Sequence, residues 1–259
     1  PLSRAEALEV TAIHSAWGRL SPERPLIGRP PFRAPHHTVS TAALLGGGTP
    51  IRPGEVSLAH RGVLFLDELP EFRRDALEGL RQPLEDGDVV IGRVHARHRF
   101  PTRFQLVAAM NPCPCGWDGD LRRRCRCPSG APERYRGRIS GPLLDRIDLH
   151  VPVRAVPMAE LVDAPAAERS AVVRARVEAA RRQARGRRAG EAARMDPAIR
   201  RLLESAHERL GLSARAHVRV LRVARTIADL AGEPRVAAEH VAEAIQYRAL
   251  DHFAARAPA

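Results

Sequence analysis

Gly62-Val63-Leu64-Phe65-Leu66-Asp67-Glu68-Leu69 decides the fold. Gly62 and the apolar residues after it run without alternation, the pattern of a strand buried on both faces of a parallel sheet, and the run stops at two adjacent carboxylates. In open α/β sheets the ligand crevice lies beyond the carboxyl ends of the strands, so Asp67 and Glu68 stand where a bound nucleotide would sit. A Mg²⁺ ion needs a carboxylate near the phosphates, and an attacking water needs a base or orienting group beside it; one acidic pair at a strand end supplies both. This is the Walker B pattern. Its plain alternative is a strand ending in a solvated acidic turn.

Downstream, strands and helices alternate, which predicts an α/β fold with a parallel sheet. Phe72 to Leu84 reads as a helix burying Ala76, Leu77, Leu80 and Leu84. Asp88 to Phe100 reads as a β-hairpin turning near Gly92 to Ala96, with Arg93, His95, Arg97, His98 and Arg99 on its tip and return strand. A charged solvent face explains those side chains as well as a nucleic-acid contact does. Phe104 to Met110 is a second buried strand, and Asn111 at its end is suited to orienting a water or a phosphate oxygen beside the acidic pair. Ile139 to Val151 supplies a short turn, an arginine at 146 and a third apolar strand; Arg146 is flanked by apolar residues and acids, not set in an arginine run.

Upstream, Ser3-x-x-Glu6 is a capping box opening an amphipathic helix that ends near Gly18. Ser21 to Pro53 turns to Pro, Gly, Arg and His, the composition of an ordered functional loop or an insertion and not of a core element. Its adjacent His36 and His37 point apart on an extended chain, which suits a solvated or phosphate-near role better than a metal.

All four cysteines fall within fifteen residues, as Cys113-x-Cys115 and Cys125-x-Cys127. Two close pairs across a short loop have the spacing of a structural Zn²⁺ site closed by four thiolates, although C-x-C is tighter than the usual knuckle. Four reduced thiols or two disulfides are the alternatives.

The net charge is +12, and every one of the 42 basic residues is Arg. A basic surface gains affinity for nucleic acid by releasing counterions, but the lack of Lys shows a compositional bias that dilutes the inference. It also has a sharper consequence. The phosphate-binding loop G-x-x-x-x-G-K-[ST] needs its Lys, so Gly46-Gly47-Gly48 is a turn and not a phosphate cradle. No stretch approaches the ~18 consecutive apolar residues of a membrane span, and no signal peptide opens the chain. A soluble cytoplasmic protein with no membrane partner is expected.

Pro152, Pro157 and Pro165 mark a linker, and helices follow: Glu168 to Arg188, one starting at Asp196-Pro197 and stopping at Gly211, and one capped by Ser213 that buries Val218, Leu221, Ala224 and Ala228. The last runs from about Val236 to Leu250.

The order of GVLFLDELPEF (Gly62 to Phe72), AAMNP (Ala108 to Pro112) and SGPLLDRID (Ser140 to Asp148) resembles the AAA+ ATPases of the magnesium-chelatase-like group, most closely the YifB/ComM family. The resemblance extends to FRAPHHT (Phe32 to Thr38) and PGEVSLAH (Pro53 to His60), and so covers nearly the whole chain. It implies an AAA+ αβα core over residues 1–153, with an insertion at 21–53, a pre-sensor-1 hairpin at 88–100 and a cysteine loop at 113–127, then a linker at 154–167 and an all-α lid at 168–259. It also implies ATP as the nucleotide, Asp67 on Mg²⁺, Glu68 polarising the attacking water and Asn111 as sensor 1. Arg146 becomes the arginine finger reaching a neighbouring subunit of a hexameric ring, and Arg215 becomes sensor 2. Arg93, Arg97 and Arg99 would line the pore and touch a translocated DNA strand. Two functions compete: a DNA motor similar to ComM, acting in branch migration, and a remodelling ATPase like the magnesium-chelatase motor subunit with a protein client. Relatives of this kind carry their Walker A loop shortly before the segment that opens here, so the resemblance makes this chain the C-terminal portion of a longer protein, inactive as an ATPase alone.

Overall fold

The structure is a computed structural model that describes residues 1–18, 20–21, 23, 25–93, 96–120, 122–153, 156, 158–162, 167–186, 196–210 and 214–248, with the backbone alone at 93, 96, 159, 161 and 214. The chain forms two compact units, Pro1–Arg146 and Ile147–Ala259. No helix among the described residues is long and apolar enough to cross a membrane.

The first unit is built on a three-stranded parallel sheet in the order β1-β4-β7, where β1 is Phe32–Arg33, β4 is Val63–Leu66 and β7 is Gln105–Ala108. A small antiparallel pair, β2 (Gly46–Gly47) and β3 (Arg52–Pro53), precedes β4 in the chain. Gly62 is required where β1 meets β4. Val63 N–H donates to the Pro31 carbonyl at 2.8 Å, and a Cβ on Gly62 would stand 2.0 Å from that same oxygen. Phe32 and Arg33 lie in the stretch expected to be loop or insertion; their ladder with β4 makes them part of the sheet instead, because backbone pairing does not depend on side-chain pattern.

The expectation of strands buried on both faces is corrected. Leu64 and Leu66 are fully buried, but Val63 and Phe65 are only half-buried. The Phe65 ring stacks on Phe32, itself 65% exposed, and Val107 of β7 is 43% exposed. Helices cover the face carrying Leu64 and Leu66 and leave the face of Phe32, Phe65 and Val107 open. β7 is an edge strand among the described residues, which is why only Leu106 of its four residues packs against the core. Ile147 to Val151, expected as a third apolar strand, forms no ladder among the described residues; His150 makes an isolated parallel bridge with Arg248. Val151 is 63% exposed, since an apolar run without a pairing partner does not become a strand.

The core side of the sheet is filled by α2 (Thr41–Leu45), α3 (Glu55–Leu58), α4 (Arg74–Gly79) and α7 (Gly141–Leu144), through Leu44, Val56, Ala76, Leu77 and Leu143. The single helix expected over 72–84 is two, α4 and α5 (Arg81–Asp86), joined at the fully buried Leu80. Pro83 explains the break, since it lacks the N–H and its ring clashes with the carbonyl four residues back. The capping box at Ser3 and Glu6 forms as expected and opens α1 (Arg4–Ala16). Two antiparallel strands, β5 (Asp88–Arg93) and β6 (Ala96–Pro101), make the expected hairpin with Val89 opposite Phe100 and Val90 opposite Arg99. The turn expected near Gly92 to Ala96 is bracketed by the pairing of Arg93 with Ala96, and residues 94 and 95 lie outside the described residues. One more short helix, α6 (Ala131–Arg136), follows the cysteine loop.

The second unit is helical: α8 (Met158–Val162), α9 (Ser170–Gly186), α10 (Pro197–Leu210), α11 (Ala214–Ala231) and α12 (Ala238–Gln246). Asp196 accepts a hydrogen bond from Ala198 N–H at 2.8 Å, so the Asp-Pro start of α10 is capped as expected. Ile199, Leu203, Val220, Ala224 and Val241 form its core. Val218, expected inside, is 59% exposed while Val220 is 1% exposed. The buried stripe of α11 runs through Ala216, Val220, Ala224 and Ala228, and Val218 sits about 200° around the helix from it. The expected stop at Gly211 and cap at Ser213 lie outside the described residues. Arg248 is 1% exposed and donates to the Ile147 carbonyl at 2.5 Å, which with the Arg219–Asp148 ion pair draws the 147–150 segment into this unit.

Candidate functional site

Parallel pairing sets the site. Leu66 lies opposite Ala108, Ala109 N–H donates to the Leu66 carbonyl at 2.9 Å, and Leu69 N–H returns to the Ala109 carbonyl at 2.9 Å. The carboxyl ends of β4 and β7 are thereby laced together, and Asp67, Glu68 and Asn111 emerge from one edge of the sheet, all exposed. Asp67 Oδ1 accepts from Glu68 N–H at 2.9 Å. Glu68 adopts a left-handed backbone, φ 53° and ψ 46°, at the entry to a short 3₁₀ turn over Leu69–Glu71. For a non-glycine residue such a conformation costs on the order of 1–3 kcal/mol and persists only when its surroundings impose it. Buried Leu69 and Pro70, just after it, impose it here.

Two neighbours of the acidic pair escape sequence reasoning. His37 Nδ1 lies 2.9 Å from Glu68 Oε2, its ring 4.1 Å from that of His36 and edge-on to Phe72. The adjacent histidines signalled a phosphate-near role, but nothing in the sequence paired one of them with Glu68. Tyr135 on α6 is buried, and its hydroxyl is pushed upward in pKa by desolvation first and then by the Glu71 and Glu68 carboxylates, while the Asn111 backbone hydrogen-bonds it. Arg138 pairs with Glu71 at 2.9 Å, and Arg136 donates to the Pro112 carbonyl at 2.9 Å. α6 thus closes over the strand ends. A lone aromatic in a short, arginine-rich helix signals an anchor without revealing what it touches.

The structure does not gather Arg146 with these groups. Its side chain is 9% exposed, ion-paired with Glu85 and hydrogen-bonded to the Pro142 carbonyl at 2.6 Å. It lines a cavity of about 640 Å³ with Glu78, Arg81, Glu85 and Ile91, and none of Asp67, Glu68 and Asn111 reaches that cavity. On the hairpin, Arg97 and Arg99 are exposed on the face opposite Val89, Ile91 and Phe100; Arg99 pairs with Asp88. The side chain of Arg93 lies outside the described residues. Arg215 is exposed in the first turn of α11, in the second unit.

The four cysteines converge. Cys113 Sγ lies 3.5 Å from Cys115 Sγ and 3.7 Å from Cys125 Sγ, Cys115 lies 3.6 Å from Cys125, and all four sulfurs including that of Cys127 fall within 4.8 Å of one another. A disulfide would need about 2.05 Å. A tetrahedral thiolate site with metal–sulfur bonds of about 2.3 Å sets its sulfurs about 3.8 Å apart, which these distances fit. The backbone N–H groups of Arg126 and then Trp117 draw the Cys115 thiol down to about 6, whereas desolvation and the other thiols push Cys127 up to about 12. Four sulfurs this close shed their protons together only with a cation between them.

Residues 1–161 match the family model described as magnesium chelatase, subunit ChlI, and residues 167–248 match that of its C-terminal region. The chain is 47% identical over 236 residues to competence protein ComM of Haemophilus influenzae, covering 85% of this chain and 45% of that protein. It is 44% identical over 267 residues to the uncharacterized protein YifB of Escherichia coli, covering 97% and 52%. A more distant relative is the magnesium-chelatase 38 kDa subunit of Acidiphilium rubrum, 29% identical over 129 residues, 47% of this chain and 36% of that one. The chain spans about half the length of the first two relatives. The two matches cover the α/β unit with its laced strand ends and the helical residues up to 248, and the chain belongs to the magnesium chelatase subunit ChlI family.

Proposed function

We propose that this chain is part of an ATP-hydrolysing AAA+ motor whose nucleotide meets the edge formed by Asp67, Glu68 and Asn111. Asp67 would hold Mg²⁺, an ion that carboxylate oxygen suits and that supplies charge neutralisation at the phosphates when bound. Glu68 orients and polarises the attacking water, with His37 fixing its carboxylate between turnovers. Asn111 holds that water against the γ-phosphate. Arg146, which rests on Glu85 in this structure, would leave that pair to act in trans at the neighbouring subunit of a hexameric ring, and Arg215 would contact the γ-phosphate. The single observation that supports this best is the pairing of β4 with β7, since it makes neighbours of an acidic pair and an asparagine that stand over forty residues apart in sequence.

The chain contains no Lys, so the P-loop lysine is not among its residues. ATP turnover is therefore measured on the complete natural protein. Glu68→Gln should lower turnover by on the order of a hundredfold or more while nucleotide binding persists, and Arg146→Ala should act likewise in the assembled state. Unchanged turnover in Glu68→Gln sinks the assignment of the water-polarising role. The 259 residues by themselves should show none.

For the client, DNA is the reading favoured by the outward face of Arg97 and Arg99 and by the net charge of +12. Affinity for single-stranded or branched DNA should fall steeply with salt, and replacing Arg93, Arg97 and Arg99 by Ala should flatten that slope by about 0.7 per lost phosphate contact. Binding that ignores salt and substitution would favour a protein client instead. The four cysteines would hold one Zn²⁺, which cross-links the loop. Metal analysis of anaerobically purified protein should find about one zinc per chain, and free thiols without metal would remove the site.

A further inference from the structure

The cysteine loop carries a feature that a purely structural metal site does not need. Arg122, Arg123 and Arg124 run between the two cysteine pairs and Arg126 lies within the second pair; all four are exposed, and they line a cavity of about 570 Å³ together with Trp117 and Cys125. The Arg123 guanidinium lies 4.3 Å over the Trp117 ring. Two aspartates stand nearby: one is paired outside the cavity, and the other caps the arginine turn, acting on Arg122 and Arg123 without an ion pair to either guanidinium. Asp118 pairs with Arg136 at 2.6 Å, and Asp120 Oδ1 accepts from the backbone N–H groups of Arg122 and Arg123, each at 2.7 Å. No carboxylate forms an ion pair with the guanidinium of Arg122, Arg124 or Arg126 among the described residues, and no acid lines the cavity. The backbone is held from behind: Arg126 N–H donates to Cys115 Sγ at 3.5 Å, and the Asp120 turn fixes the other end.

Four guanidinium groups converging on one concavity with an indole in its wall match one ligand chemistry. Phosphodiester oxygens satisfy the arginines, and unpaired bases stack on Trp117 or on guanidinium planes. A duplex offers no free base to an indole, and an acidic peptide offers nothing to stack. We propose that this cavity is a binding site for single-stranded nucleic acid, separate from the hairpin and formed wholly by the cysteine loop.

Trp117 makes the site observable in these 259 residues, among which Trp17 is the one other tryptophan. The metal-loaded protein carrying Trp17→Phe is titrated, without ATP, with a thymidine oligonucleotide of about a dozen residues, within the range of known single-strand sites. Trp117 emission should be quenched, and the binding constant should fall as salt rises. Replacing Arg122, Arg124 and Arg126 by Ala should weaken binding about tenfold or more and make the log–log salt slope shallower by about 2, at 0.7 per phosphate. Thymidine monophosphate and inorganic phosphate at equal phosphate concentration should quench little. The substitutions at Arg122, Arg124 and Arg126 act on the Trp117 quench whether or not the hairpin binds DNA, so the pocket can succeed where the hairpin reading fails. Three results overturn the proposal: no quench, quenching equalled by free phosphate or polyglutamate, or a quench that the arginine variant leaves unchanged. Unaltered emission and circular dichroism of the arginine variant establish that it is folded.

Discussion

Glu68 and Arg61 are the two non-glycine residues with positive φ among those described, and Glu68 holds that strain at the proposed chemical centre. Glycine tolerates φ > 0 without the Cβ clash. Glu68→Gly should therefore keep or raise stability, by up to about 1 kcal/mol in urea unfolding, while turnover of the complete protein is lost. A clear loss of stability would show that the left-handed backbone is unstrained there. His60 makes a second residue-scale case. It is 2% exposed, its Nδ1 accepts from Arg103 N–H at 3.0 Å and its Nε2 lies 3.1 Å from Glu9 Oε2, so it sits neutral and fully used. Burial pulls its pKa below 6.5, with nearby Arg61 and Arg103 adding to the effect of desolvation. The unfolded chain takes up a proton below about pH 6.5 that the native state refuses, so stability is present above that value and falls as pH drops through it. Glu9, held down to about 2 by Arg61 and His60 against an ordinary 4.5, loses its own contribution between those values. Thermal midpoints measured from pH 7.5 downward should decline first near 6.5, and His60→Gln should remove that first decline.

At the scale of elements, α11 shows how far periodicity carries. Apolar residues at 218, 220, 221, 224 and 228 admit two helical phases, and only packing against Ile199, Leu203 and Val241 selects the one through Val220. Val218→Ser should change stability by less than about 0.5 kcal/mol and Val220→Ala should cost about 2 kcal/mol, read by helical circular dichroism in urea. Equal effects at both positions would contradict the observed phase. The hairpin was legible because the β-branched run Val89 to Ile91 is followed at once by Gly92 and then by a second short segment ending in Phe100. The helix over 72–84 was legible except for its break, which Pro83 already announced in the sequence. The two-residue β1 was not legible, since it is defined by backbone pairing with β4 and nothing in Phe32-Arg33 asks for a strand.

For the whole molecule, the decisive fact is that among the described residues each unit has its own main core: one around Leu64, Leu66 and Leu143, the other around Leu203, Val220 and Val241. Trp17 and Trp117 both belong to the first unit, so tryptophan emission reports on that unit alone. Leu66→Ala should lower the denaturation midpoint seen by fluorescence by roughly 2–5 kcal/mol in stability. Leu203→Ala should leave that signal in place and shift the helical circular dichroism instead. If both variants moved the fluorescence midpoint equally, the two cores would unfold as one. The sequence by itself determined the α/β class, the acidic pair at a strand end, the absence of a P-loop lysine and the four-cysteine set, because each depends on residue type and short spacing. Tertiary structure alone decided that one sheet face stays open, that His37 and Tyr135 border Glu68, that Arg146 rests on Glu85 and that the loop arginines ring Trp117. All but the last are set by residues distant in the chain and by which elements pack together, and the last by how the cysteine loop folds back on itself; local pattern carries no record of either choice.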